Sequence, residues 1–178
     1  MKKVVPFLFA GLLFVLVACD NTQETTGVVQ PVTKVEEKEE YDPFIEGNRN
    51  ILRMEDEDIQ LFLKRYGWNT EKKESGLYIE VLETGSGETF KEGDEVQLDY
   101  VTQLLDGEVV YSSKEDGVKK FKVDKSEEIA GLHEAVKYLR HGARARIVLP
   151  SYLAYGVAGD GNKIKGRKSL AMTIEISD

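Results

Sequence analysis

Apolar residues are distributed in three different ways along this chain. From Val4 to Ala18 they are nearly continuous, between Phe44 and Gly67 they recur at helical spacing, and from Gly76 onward they alternate with polar ones. Each pattern predicts a different kind of segment. In the middle stretch Leu52, Ile59, Phe62, Leu63 and Tyr66 fall on one side of a helix, with Glu and Asp between them, and Gly67 is a natural C-terminal stop. Such a helix must lay its apolar stripe on something. Two partners are open, the domain that follows or a second copy of the chain. The simpler choice is the following domain, which leaves the protein a monomer, while a dimer would form through the helix near residues 51–66.

Beyond Gly76 the alternation predicts strands. Leu77–Leu82 is the first, and Gly85-Ser86-Gly87 and Gly93-Asp94 punctuate the turn after it. Val96, Leu98, Tyr100 and Leu104 share a face, interrupted by polar Thr102. Asp106-Gly107 signals a hairpin leading into a strand from Glu108 to Ser112. Phe121 and Val123 mark a further short strand. Ile129–Leu139 returns to helical spacing, with Leu132, Val136 and Leu139 on one face, and Arg140-His141-Gly142 ends it. Ala143, Ala145, Ile147 and Leu149 alternate up to Pro150, a Gly-rich loop runs to Lys168, and Ser169–Ile176 is the last strand. The fold class expected is α+β, an antiparallel twisted sheet wrapped around one central helix and preceded by one amphipathic helix.

The N-terminal stretch has a different logic. Lys2 and Lys3 precede the apolar run, which is shorter than the ~20 residues a spanning helix needs and stops at Cys19-Asp20. A short basic region followed by a short apolar one has the form of an export signal. Leu16-Val17-Ala18-Cys19 resembles the lipobox of bacterial lipoproteins. That resemblance implies cleavage before Cys19 and a diacylglycerol on its sulfur, hence attachment to a membrane of the cell envelope, periplasm-facing or at the outer membrane. Residues 20–43 are polar and acidic, with the run Glu36-Glu37-Lys38-Glu39-Glu40, and read as a disordered tether. The organisation expected is therefore a signal peptide at 1–18, a tether at 19–43, an amphipathic helix and linker at 44–75, and a folded domain at 76–178.

Composition narrows the chemistry. A formal charge of −8 with no basic stripe argues against nucleic acid as a partner. Cys19 is the single cysteine, so no intrachain disulfide can form. His133 and His141 have no soft ligands beside them, which argues against a metal site, and no cofactor is expected. Gly85-Ser86-Gly87 lacks the third glycine of a dinucleotide fingerprint. Asp160-Gly161-Asn162 lacks the further ligands of a calcium loop. Ser112-Ser113 has no histidine placed to activate it. His133 falls on the expected helix, where a surface or capping role is the default.

One constellation remains. It runs Gly76-Leu77-Tyr78, Gly93-Asp94-Glu95-Val96-Gln97-Leu98-Asp99-Tyr100, Asp106-Gly107, Ser112-Ser113, Phe121, Gly131, Gly142, Pro150 and Leu153-Ala154-Tyr155-Gly156, and closes on Leu170, Met172 and Ile174. In this order and spacing it resembles the FKBP-type peptidyl-prolyl isomerases. With the lipobox, the preceding helix and Pro150-Ser151-Tyr152-Leu153-Ala154-Tyr155-Gly156, it is similar to isomerase-like lipoproteins associated with gliding motility in Bacteroidetes. The resemblance implies action on proline-containing polypeptides. It implies a pocket at Tyr100, Phe121, Ile129, Tyr155 and Ile164, with the Tyr155 hydroxyl and the Ile129 amide bonding to the peptide. It also exposes departures. Val110 and Tyr111 stand where the family has Phe-Asp, Leu132 where it has the tryptophan floor, and Met172 where it has a late phenylalanine. These changes remove aromatic wall and a carboxylate and leave an apolar hollow of altered shape.

Overall fold

The structure, a computed structural model, describes residues 43–177. The signal peptide, Cys19 and the tether up to residue 42 lie outside the described residues, while Pro43, expected to end the tether, instead begins the first helix. No described helix is long and apolar enough to cross a membrane.

The described residues begin with α1, a helix of 24 residues from Pro43 to Tyr66. The strands β1 (Glu71–Lys72), β2 (Tyr78–Glu83), β3 (Glu95–Leu104) and β4 (Val109–Ser112) follow. The short helix α2 (Ser113–Asp116) and strand β5 (Lys119–Lys122) lead to α3 (Ala130–Val136). Strand β6 (Arg144–Leu149), a 3-10 turn at Ser151–Leu153 and β7 (Leu170–Ile176) complete the fold. All pairings are antiparallel, in the order β1-β2-β6-β7-β3-β4, with β5 on the free stretch of the β3 edge. The long β3 organises the sheet. It pairs with β7 from Leu98 to Leu104, and its other edge is shared by β5 (Glu95–Leu98) and β4 (Val101–Gln103).

The expected α+β class is observed, and period-2 alternation explains most of the core. Leu77 just before β2 and Ile79 within it, Ala145, Ile147 and Leu149 from β6, and Leu170, Met172 and Ile174 from β7 join Leu132, Ala135 and Val136 of α3 in one buried cluster. Gly131 lets α3 come close to the sheet. A Cβ there would lie 2.5 Å from Leu149 Cδ2 and 3.0 Å from the Leu153 carbonyl oxygen. The helix is shorter than Ile129–Leu139, because its last turn tightens into 3-10-type bonds, from the Tyr138 N–H to the Ala135 carbonyl and from Leu139 to Val136.

The opposite face of the sheet is covered too. Ile59, Phe62 and Leu63 of α1 pack with Tyr78, Val148 and Ala171 in a second buried cluster, with Trp68 at its margin. Thus α1 lies on its own sheet. The buried stripe is narrower than the periodicity predicts, since Leu52 and Tyr66 stay exposed. Tyr66 packs on Phe62 instead, with ring centroids 4.6 Å apart. Polar contacts fix the angle of α1. The Tyr78 hydroxyl donates to Asp56 Oδ1 and accepts from Gln60 Nε2 at 3.1 Å, and Lys72 pairs with Asp56.

His133 corrects the surface role expected of it. It is buried, with Nδ1 accepting the Asp124 N–H at 3.0 Å and Nε2 lying 3.1 Å from the Ser126 carbonyl oxygen. It therefore fastens the turn between β5 and α3.

Candidate active site

A hollow of about 200 Å³ opens where β3, β4 and β7 meet the start of α3, lined by Tyr100, Thr102, Tyr111, Asp116, Lys119, Ile129, Tyr155, Leu170 and Met172. Register explains its base. Thr102 on β3 stands opposite Tyr111 on β4 and opposite Met172 on β7, so these three form one cross-strand row. Tyr100 lies two residues along the same face of β3. Ile129 enters as the residue just before α3, and Tyr155 comes from the loop after the 3-10 turn. A larger groove of about 480 Å³ lies between α1 and the Arg167–Ser169 segment. It has no tyrosine, and none of the expected pocket residues lies in it.

The three tyrosines are in different states. The Tyr111 hydroxyl donates to Asp160 Oδ2 and accepts from Asn162 Nδ2 at 3.2 Å. The bond to Asp160, then burial, pushes its phenol up. Burial works to raise Asp160 as well, but bonds from Tyr111 and from the Asn162 and Ile164 N–H groups hold it below its ordinary value. Asp160 therefore organises its loop as an anchor for Tyr111, the role of a plain turn rather than of an ion site. Tyr100 is raised by burial, then by the Asp116 and Glu128 carboxylates. Tyr155 is pushed up to about 12, chiefly by burial and then by Glu128 and Asp160. Its hydroxyl has no hydrogen-bond partner among the described residues, so it is a neutral donor free to meet a ligand.

One rim of the hollow is charged. Lys119 Nζ pairs with Glu128 Oε2 at 2.8 Å, with side-chain exposures of only 24% and 13%, and sits 5.2 Å from the Tyr100 ring centroid. The second Glu128 oxygen accepts the Ile129 N–H at 2.9 Å. The amide expected to meet the peptide is thus held by the neighbouring carboxylate.

Of the nine residues expected in the pocket, the structure gathers Tyr100, Tyr111, Ile129, Tyr155 and Met172 in the lining. Val110, Phe121, Leu132 and Ile164 are buried but outside it. Phe121 shares the inner face of β5 with Lys119 and is set farther along, with its ring edge-on to His133 at 5.2 Å. Lys119 takes the lining position instead. The Val110 carbonyl accepts from Lys163 Nζ at 2.9 Å, and Ile164 packs into the core beside the Asp160 turn. Leu132 is wholly buried in the core under α3. Thr102, Asp116, Lys119 and Leu170 were not anticipated. Asp116 restores a carboxylate to the lining from α2, the helix that directly follows the β4 position, Tyr111, where the family's acid is missing. Ser112 and Ser113 are structural here. The Ser112 N–H donates to Asp116 Oδ2 at 2.9 Å, and Ser113 Oγ accepts the Tyr100 N–H at 3.3 Å. Among the described residues no group of His, Cys, Asp and Glu side chains could hold a metal ion.

The hollow thus combines aromatic and aliphatic walls with a free phenolic donor and no activated nucleophile. That arrangement suits binding and conformational chemistry better than bond cleavage.

Comparisons with known proteins bear on the family and the fold. The family model for FKBP-type peptidyl-prolyl cis-trans isomerases matches residues 86–177. The chain is 36% identical over 106 residues to the macrophage infectivity potentiator of Trypanosoma cruzi, covering 59% of this chain and 54% of that protein. It is 33% identical over 118 residues to the FKBP-type peptidyl-prolyl cis-trans isomerase FkpA of Escherichia coli, covering 66% of this chain and 42% of that protein. The chain spans about half, or less, of the length of these curated relatives. Among solved structures, FkpA from Escherichia coli superposes with a TM-score of 0.62 at 27% identity, over 76% of this chain and 63% of that one. A peptidyl-prolyl cis-trans isomerase from Pseudomonas syringae gives 0.61 at 25% identity, over 73% and 93%.

Proposed function

The chain belongs to the FKBP-type peptidyl-prolyl cis-trans isomerase family, and from that premise we propose that its hollow accelerates rotation about X–Pro amides in exported polypeptides while the protein is tethered to a membrane. The observation that carries the reading is the Tyr155 hydroxyl, neutral, half-buried and without a partner among the described residues, in the lining of a hollow with aromatic and aliphatic walls.

Rotation about an X–Pro bond makes and breaks no covalent bond. The barrier comes from amide resonance, ~18–20 kcal/mol, and the uncatalysed reaction takes ~10–100 s. The twisted transition state has lost its resonance, so a water-poor apolar wall disfavours it less than the planar, polar ground state. Tyr100, Tyr111, Ile129 and Met172 supply that wall and grip the proline ring. Tyr155 donates to a peptide carbonyl and holds the chain in register while the bond turns.

One observation favours a second reading, a peptide-binding module with little turnover. Glu128 occupies the Ile129 N–H, and Lys119 brings charge to a wall the family builds from apolar groups. A proline-isomerisation assay on the full chain separates the two. Acceleration that saturates with peptide supports the isomerase. Binding of X–Pro peptides without acceleration supports the module, and a chain that neither binds nor accelerates sinks both readings.

The tether rests on Leu16-Val17-Ala18-Cys19 and the polar segment after it. We read the mature protein as a lipoprotein anchored through Cys19 in the cell envelope, facing the periplasm or at the outer membrane. We place it beside the gliding-motility isomerase-like lipoproteins of Bacteroidetes, and read it as a monomer. Cys19→Ala should abolish acylation and release the protein from membranes. A variant that still fractionates with membranes and keeps the same N-terminus would contradict the anchor.

A further inference from the structure

Helix α1 does more than cover the back of the sheet. Its docking is already accounted for by Ile59, Phe62 and Leu63 against Tyr78, Val148 and Ala171. Glu55, one turn earlier, makes a different kind of contact. Its Oε1 accepts the Ser151 backbone N–H at 2.5 Å and the Ser169 hydroxyl at 2.6 Å, from residues 96 and 114 positions away in sequence. Ser151 opens the 3-10 turn that leads to Tyr155, and Ser169 ends the same loop just before β7. A single carboxylate oxygen therefore fastens the two ends of the loop that carries Tyr155.

The contacts have a physical requirement behind them. The N–H of the first residue in a helical turn has no partner within that turn. Here the preceding residue is Pro150, so the chain supplies no neighbouring side-chain cap, and Glu55 supplies the acceptor from outside. Ser169 is buried, and an unpaired hydroxyl there would be costly. Within the loop the geometry passes directly to Tyr155. The Ser151 carbonyl accepts the Gly156 N–H at 2.8 Å, and the Gly156 carbonyl accepts the Arg167 N–H at 2.7 Å. Glu55 thus holds the base of a hydrogen-bonded ladder whose rungs flank the tyrosine. It lies before residue 86, where the family match begins.

We propose that Glu55 is a positioning residue for the pocket, fastening the Tyr155 loop from the preceding helix, so that α1 is a working part of the isomerase site. The proposal rests on the isomerase reading for its catalytic readout, but its structural readout stands apart from turnover.

The test uses the full chain with Glu55→Ala and Glu55→Gln, each alone and combined with Tyr155→Phe. Three quantities are measured: kcat/KM for X–Pro isomerisation, unfolding in urea, and amide hydrogen exchange at Gly156 and Arg167. Glu55→Ala should lower kcat/KM by roughly three- to tenfold, short of the ~100-fold that a 1 Å misplacement can cost. It should also speed exchange at Gly156 and Arg167 while leaving the β3 amides unchanged. Glu55→Gln keeps an acceptor oxygen and should recover most of both effects. In the Tyr155→Phe background the Glu55→Ala loss should shrink, because the group being positioned is gone. Lower stability with unchanged kcat/KM overturns the proposal, as does a loss equally large with and without the Tyr155 hydroxyl. If the wild-type chain shows no turnover, the isomerase reading fails by itself. Exchange at Gly156 and Arg167 then decides the loop clamp, and unaltered exchange in Glu55→Ala refutes it.

Discussion

Replacing Tyr155 with phenylalanine removes one oxygen from the hollow and little else, which makes the outcome calculable. The hydroxyl has no hydrogen-bond partner among the described residues, so its loss breaks no internal bond. Folding stability should stay within about 0.5 kcal/mol of wild type, the usual range for changes that touch no buried network. If the hydroxyl donates to a peptide carbonyl, a neutral hydrogen bond of ~0.5–1.5 kcal/mol is lost. With RT near 0.59 kcal/mol, that is a fall of about 2- to 13-fold in peptide affinity or in kcat/KM. Calorimetric titration with an X–Pro peptide measures the first. The second is read from relaxation of the cis isomer at low temperature, where the uncatalysed reaction takes minutes. Tyr111→Phe is the contrasting case. Its hydroxyl is committed to Asp160 and Asn162, so its loss should cost stability and loosen the 160–164 loop. Unchanged peptide affinity and turnover in Tyr155→Phe, with the fold intact, would show that the phenol is only a wall of the core and would remove the basis of the proposed mechanism.

The same tyrosine governs the alkaline limb. Its phenol is raised from 10.0 to about 12, so the fold favours the neutral form. Its contribution to stability is complete below pH ~10 and is lost as pH rises through about 12. Spectrophotometric titration should show a late tyrosine that vanishes in Tyr155→Phe; a titration identical in the two proteins contradicts the assignment. Asp160 has the opposite sign. Its lowered carboxyl stabilises the loop above its ordinary value of 3.8, and that contribution disappears as pH falls below it. Phe62 is 1% exposed between α1 and the sheet, so Phe62→Ala should cost ~3–5 kcal/mol in urea unfolding, and a loss under 1 kcal/mol would mean that α1 is not docked in solution. Gly131→Ala would set a Cβ 2.5 Å from Leu149 Cδ2 and should cost ~1–3 kcal/mol through overpacking. An unchanged midpoint would show that α3 does not approach the sheet so closely.

Strands were legible wherever one face is buried and the other wet, because alternation then writes the face into the sequence. Val96, Leu98 and Tyr100 on β3 and Ala143 to Leu149 around β6 are such cases. The two-residue β1 and four-residue α2 were not legible, because each is too short for a repeat to show. The docking site of α1 left a signal that alternation obscures. Ile147-Val148-Leu149 and Leu170-Ala171-Met172 are unbroken apolar runs, the pattern of strands covered on both faces. Val148 and Ala171 are the residues that meet α1. The helix was readable from its stripe, but its partner had to be read from the sheet. His133 was hidden for a related reason. Its two nitrogens are satisfied by backbone at 124 and 126, a pairing that depends on how the turn folds back over α3.

The site was half legible, and the unread half follows one rule. Tyr100 and Tyr155 follow from the family resemblance, and Tyr111 enters only as a departure from it, at the position of a missing carboxylate. Phe121 follows from the same resemblance, and it is the only ring on Lys119-Lys120-Phe121-Lys122. Period 2 sets Lys119 and Phe121 on one face, and the sequence alone gives no reason to prefer the lysine, since unpaired lysines are rarely buried. The missing fact was Glu128, which reaches Lys119 across the turn between β5 and α3 and makes its burial tolerable. The same carboxylate holds the Ile129 N–H. A peptide carbonyl that takes that amide must therefore displace a charge-assisted bond that is itself held by Lys119, roughly twice as strong as the neutral one it would form. Tyr155 carries no such competitor among the described residues, which is why the free phenol, and not the backbone amide, is the group on which this pocket's binding should depend most.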